Sequence, residues 1–90
     1  MPNYLYTEPG CEACKDAREF LISYGIPFQE RDIRANPEYL RVLTEELDSL
    51  TTPTLVVEDE LIVGFDAGEY RRLLGPLRTK REKMAIRSRA

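Results

Sequence analysis

Cys11 and Cys14 stand three positions apart in the stretch TEPGCEAC, residues 7–14, and are the only cysteines in a chain without histidine. Two thiols at that spacing suit reversible disulfide exchange, half of a metal site, or no chemistry at all if both are small core residues. A closed structural zinc site takes four ligands, so without a third Cys or a His one chain alone cannot build it. A zinc or iron–sulfur site shared by two chains stays open. An inert core pair conflicts with Pro9, Gly10 and Glu12, which read as a surface loop. A static staple conflicts with the spacing, because closing so short a loop gains little. Reversible exchange is the favoured chemistry.

For that chemistry the two thiols take different parts. Cys11 falls where a strand-like run gives way to a helix-like one, so its sulfur faces main-chain N–H groups left unpaired at a helix start. There the thiolate is favoured and the thiol titrates below its ordinary value. Cys14, one turn on and deeper, stays a thiol until needed. Cys11 attacks a substrate disulfide, and Cys14 resolves the mixed disulfide by attacking Cys11. Glu8 and Glu12 flank Cys11 and oppose an anion there, while Lys15 partly offsets them. This predicts a reducing couple close to thioredoxin in potential rather than a strong oxidant.

The elements that must position this pair are legible in turn. Asn3–Thr7 alternates weakly and is rich in Tyr, which predicts a short strand ended by Pro9 and Gly10. From Cys11, the positions Cys14, Ala17, Leu21 and Tyr24, with Ala13 and Phe20 beside them, line one helical face, and Gly25 stops the helix. PFQERDI carries charge on both faces and survives as a strand only at a sheet edge, with Pro27 at its start. A second helix opens at Asn36 as N-cap with Pro37 in its first turn, and Leu40, Leu43, Leu47 and Leu50 form its predicted buried stripe. TPTLVVE and LIVGF, joined by Asp59-Glu60, predict an interior antiparallel hairpin. Asp66 caps a third helix, with Glu69 as the other half of a capping box and Tyr70, Leu73, Leu74 and Leu77 facing inward. Gly75 and Pro76 end or kink it. The order β-α-β-α-β-β-α implies an α/β fold with right-handed crossovers and helices on both faces of a sheet.

Ninety residues, 42% of them apolar and 32% charged, suit one globular domain. From Leu77 to Ala90 there are six Lys or Arg and one Glu, a charge of +5, which leaves −8 on residues 1–76 for the total of −3. An acidic domain over residues 1–76 therefore carries a basic tail over 77–90. A scatter of positive charge without a groove or aromatic platform does not favour a nucleic-acid partner. No run approaches the roughly 18 apolar residues of a membrane span, and MPNYLYT lacks the pattern of a secretory signal. A cytoplasmic location is expected, where thiols are kept reduced.

Together, the strand, the Cys-x-x-Cys at a helix start, the TTPT segment before a hairpin and VGFD before the last helix resemble the glutaredoxin group of the thioredoxin superfamily, from about Asn3 to Leu74. The resemblance implies a thioredoxin fold with a four-stranded mixed sheet. It also implies that Pro53 is cis and lies against the cysteine pair; the local residues alone favour an ordinary trans proline at a strand start, so the cis bond rests on the resemblance. The Thr52 backbone would then offer an extended substrate a strand to pair with. Gly10, Gly64, Phe65 and Asp66 complete the substrate-binding residues on the same resemblance, with Asp66 open between ligand contact and helix cap. Glutaredoxins typically have Lys three residues before the first Cys, an aromatic inside the pair, and two Asp after a glycine motif that hold the γ-glutamyl end of glutathione. These positions resemble Glu8, Glu12 with Ala13, and Asp66 followed by Ala67. The VGF segment is also similar to redoxins that serve ribonucleotide reductase and draw electrons from thioredoxin reductase.

The expected function is thus glutaredoxin-like thiol-disulfide oxidoreduction of protein or low-molecular-weight disulfides, with no bound cofactor or metal and with glutathione or thioredoxin reductase as electron donor. The alternative is a non-enzymatic redoxin-like adaptor or redox sensor, in which the pair either senses oxidation or bridges zinc or an iron–sulfur cluster between chains and the basic tail engages a partner. Arsenate-reductase-like and related transcription-regulating proteins share a similar opening strand and cysteine pair, but are expected to lack the Thr-Pro and Gly-Phe-Asp pairing present in this chain.

Overall fold

A computed structural model describes residues 3–75. The elements are β1 (Tyr4–Thr7), α1 (Glu12–Ser23), β2 (Gln29–Asp32), α2 (Pro37–Arg41) running directly into a π-helical turn (Val42–Glu46), β3 (Thr54–Val57), β4 (Glu60–Val63) and a last helix, α3, over residues 67–75. The strands form one sheet in the order β2-β1-β3-β4. β1 and β2 are parallel, while β1 with β3 and β3 with β4 are antiparallel, so the sheet is mixed as expected.

Register decides what each face of the sheet carries. Leu5 lies opposite Leu55, and Leu55 opposite Ile62, so one row of apolar side chains crosses three strands. This row packs with Ala17 and Leu21 of α1 and Tyr70 and Leu74 of α3, all buried. Phe20, Phe65 and Tyr70 meet edge to face around it, with ring centroids 4.9–5.9 Å apart. On the opposite face the Arg31 guanidinium lies 3.7 Å from the ring centre of Tyr4 and 5.2 Å from that of Tyr39 in α2. Helices therefore flank both faces. The charged strand β2 takes the edge, where Arg18 of α1 meets Glu30 and Thr7 donates to the same carboxylate.

Local capping explains where the helices begin and end. Asn36 Oδ1 accepts the Glu38 N–H at 3.0 Å, and Asp66 Oδ1 accepts the Glu69 N–H at 3.0 Å. α1 ends on Gly25 at φ 67°, with the Gly25 N–H donating to the Ile22 carbonyl and the Ile26 N–H to that of Leu21. This double closure needs a residue at ease with positive φ.

Four expectations are corrected. Of the predicted stripe in α2, Leu43 is buried, but Leu40 is 43% and Leu50 90% exposed. The π-helical turn widens the winding and breaks the 3.6-residue phase. The helical segment then closes at Leu47, leaving Leu50 in a loop. The hairpin turns at Glu58-Asp59, with Glu58 at φ 54°, and Glu60 pairs with Val57 inside β4. Nor is β4 interior: it is an edge strand with only Ile62 buried. Glu69 does not close the capping box; its carboxylate accepts from Arg72 instead.

Gly75 is still helical. The expected roles of Pro76 and Leu77 and the basic tail over 77–90 lie outside the described residues. Among the described residues, no helix is long and apolar enough to cross a membrane.

Candidate active site

β1 runs out of the sheet through Thr7 into the loop Glu8-Pro9-Gly10, which reverses the chain with Gly10 at φ 75°. That turn places Cys11 as the N-cap of α1, in extended conformation at φ −95° and ψ 109°. Its Sγ accepts the main-chain N–H of Cys14 at 3.1 Å, the place a serine or aspartate oxygen occupies at many helix starts. Cys11 and Cys14 are joined as a disulfide with their Cα atoms 5.2 Å apart. Cys14 is only 1% exposed, whereas Cys11 is half-buried. The outer sulfur is thus the one that a disulfide can reach, and the inner one lies beneath it.

The loop between the π-helical turn and β3 comes up against this pair. Cys11 Sγ lies 3.8 Å from the Thr52 carbonyl oxygen and 3.9 Å from its Oγ1. The Thr52–Pro53 peptide bond is cis, and the Pro53 carbonyl accepts the Gly64 N–H at 2.8 Å. Gly10, Cys11, Cys14, Thr52 and Pro53 therefore gather at one end of the sheet, with Gly64 tied to them through Pro53. Phe65 turns its ring toward Phe20 and Tyr70, and the Asp66 carboxylate is engaged as the cap of α3.

Two parts of this arrangement escaped the sequence reading. Thr52 Oγ1 donates to Glu8 Oε1 at 2.8 Å, and Glu8 Oε2 lies 4.0 Å from Arg34 Nε. Beneath the loop is a buried hydroxyl network: Ser49 Oγ and Thr54 Oγ1 are 2.9 Å apart, and Thr54 donates to the Thr51 carbonyl at 2.6 Å. The signal was the run of hydroxyl residues around Pro53, where the sequence pointed to the Thr52 backbone as a substrate platform but not to the hydroxyls as a network. Among the described residues no cluster of three or more His, Cys, Asp or Glu could hold a metal ion.

Comparison with known proteins sets this geometry in context. The family model Glutaredoxin matches residues 4–62. Gene 56 protein of Mycobacterium phage L5 is 30% identical over 74 residues, which cover 81% of this chain and 72% of that protein. Global transcriptional regulator Spx 1 of Oceanobacillus iheyensis is 35% identical over 69 residues, covering 69% of this chain and 53% of the regulator, so the chain spans about half its length. Among solved structures, the thioredoxin-like protein BC3987 superposes with a TM-score of 0.77 at 30% identity, over 80% of this chain and 99% of that one.

Proposed function

The chain belongs to the glutaredoxin family, a glutaredoxin-like redoxin with its cysteine pair at disulfide distance, and on that premise we propose that it is a thiol-disulfide oxidoreductase. Cys11 is the nucleophile. In the reduced protein its thiolate attacks one sulfur of a substrate disulfide, the substrate S–S bond breaks, and one thiolate leaves and takes a proton from water. Cys14 then loses its proton to solvent and attacks Cys11 Sγ, releasing the second substrate thiolate and forming the Cys11–Cys14 disulfide. Two electrons pass from the dithiol to the substrate, and a thiol donor supplies two more to the Cys11–Cys14 disulfide by the reverse sequence, becoming a disulfide itself. Thr52 and Pro53 form the platform: the Thr52 backbone beside Cys11 suits an extended substrate segment pairing as a short strand.

The observation that carries this reading is the Cys14 N–H donated to Cys11 Sγ at 3.1 Å, with Cys14 buried one turn below. A donor aimed at the sulfur favours the thiolate over the thiol. Glutathione and thioredoxin reductase are the two candidate donors, and the substrates are protein or low-molecular-weight disulfides in a compartment that keeps thiols reduced. The test is disulfide reduction by the purified protein with each donor, comparing wild type, Cys11→Ser and Cys14→Ser. Turnover by wild type and its loss in Cys11→Ser supports the enzyme.

The likeness to Spx 1 favours a second reading, in which the pair senses oxidation for a regulatory partner. That reading expects negligible turnover with both donors. Stoichiometric zinc or the colour of an iron–sulfur cluster would mark the variant of it in which two chains share a metal.

A further inference from the structure

The charge at the mouth of the dithiol is held in place by Thr52. Glu8 Oε1 accepts the Thr52 hydroxyl at 2.8 Å, and the same hydroxyl oxygen is 3.9 Å from Cys11 Sγ. Carboxylate and sulfur are therefore within roughly 7 Å of each other, close enough for a unit charge to act strongly where water is partly excluded. Arg34 Nε lies 4.0 Å from Glu8 Oε2, with the Arg34 side chain 75% and the Glu8 side chain 38% exposed. A pair so open to solvent is weak and salt-screened. Glu12 and Lys15, the charged sequence neighbours of the pair, are exposed and opposite in sign. The fixed charge of Glu8 beside the incoming disulfide is thus negative, and the net −3 of the full chain adds a long-range field of the same sign.

We propose that Glu8 is a specificity-determining residue that selects cationic disulfides, such as protein disulfides flanked by Lys or Arg, over anionic ones such as glutathione disulfide. This deepens the oxidoreductase reading and rests on it. The exchange is the one already written: Cys11 thiolate bonds to one substrate sulfur as the substrate S–S bond breaks, and the charge near that sulfur determines whether Glu8 attracts or repels the incoming molecule.

The test uses the reduced full chain and three small disulfides: cystamine, which is cationic, bis(2-hydroxyethyl) disulfide, which is neutral, and glutathione disulfide, which is anionic. Second-order rates are measured by stopped flow at low salt, each divided by the rate of the same disulfide with dithiothreitol to remove intrinsic reactivity. Wild type prefers cystamine to glutathione disulfide. Glu8→Gln keeps an oxygen to accept the Thr52 hydroxyl and removes only the charge, so the cystamine-to-glutathione ratio falls by about tenfold. Glu8→Lys inverts the preference, and Arg34→Gln strengthens it. A ratio unchanged within about twofold in Glu8→Gln, with wild type still reducing the neutral disulfide, overturns the proposal alone. Failure of wild type to reduce even the neutral disulfide overturns the oxidoreductase reading, and this one with it.

Discussion

The main-chain N–H of Cys14 is donated to Cys11 Sγ at 3.1 Å, so the side chain of the first cysteine caps the backbone of the second. A Cys-x-x-Cys at a helix start produces this geometry because the residue three after an N-cap is the one whose N–H points back at it. The spacing that allows a disulfide is also the spacing that aims a main-chain donor at the Cys11 sulfur.

The first prediction concerns redox poise. The helix start favours the Cys11 thiolate, but Glu8, bonded through Thr52, opposes it. A less stabilised thiolate leaves the dithiol less favoured and the couple more reducing. Equilibration with dithiothreitol redox buffers should give a potential nearer the roughly −270 mV of thioredoxin than the roughly −120 mV of a strong oxidant. Glu8→Lys should move it toward the oxidising end.

A second prediction lies under the loop that carries Thr52 and Pro53. Thr54 is wholly buried and its hydroxyl joins Ser49 to the Thr51 carbonyl. Thr54→Val keeps the shape but leaves both partners short of a bond inside the protein. Urea unfolding should show a loss of about 1–3 kcal/mol, with a smaller loss if water enters to replace the hydroxyl.

Tyr70 gives the opposite expectation. Among the described residues its buried hydroxyl has no hydrogen-bond partner, and burial pushes the phenol pKa up. Removing a buried polar atom that bonds to no described residue removes a desolvation cost without losing a described contact. Tyr70→Phe should leave the thermal midpoint unchanged or raise it, whereas Leu55→Ala in the same core should cost about 2–5 kcal/mol.

A fourth prediction is a pH dependence at the sheet edge. The hydrogen bond from Arg18 holds the Glu30 carboxyl below the usual carboxylate range; burial works against this and the Thr7 hydroxyl works with it. A lowered folded-state value means that the contribution is full above the ordinary Glu value near ~4.3 and is lost as pH falls through the folded value. Both side chains are about a third exposed, so the effect is discounted for solvent. Glu30→Gln should lower the thermal midpoint by about 2–4 °C at neutral pH. The difference from wild type should close as pH is taken below that window.

What could be read from the sequence was local chemistry. Asn36, Asp66 and Gly25 mark helix ends because their side chains or their freedom at positive φ act on backbone within a few residues. The pairing of Cys11 with Cys14 belongs to the same class. The charges on Gln29–Asp32 located an edge strand because a central one could not solvate them. Leu40 and Leu50 were misread because a 3.6-residue period assumes an unbroken α-helix, and the π-helical turn breaks it. The exposure of β4 was hidden for a different reason: Leu61 and Val63 look interior by type, but only strand order puts them on an edge. The Glu8–Thr52 bond spans 44 positions, and no local pattern announces a contact of that range.

The most direct measurement is capture of the mixed disulfide. Cys14→Ser should stop the reaction after the first exchange, so reduced Cys14→Ser treated with bis(2-hydroxyethyl) disulfide should accumulate one mercaptoethanol adduct, mapped by mass spectrometry to Cys11. Cys11→Ser treated in the same way should remain largely unmodified, because Cys14 is buried. Equal or faster modification of Cys14 in Cys11→Ser, or no adduct at Cys11 in Cys14→Ser, would contradict the assignment of Cys11 as the attacking sulfur.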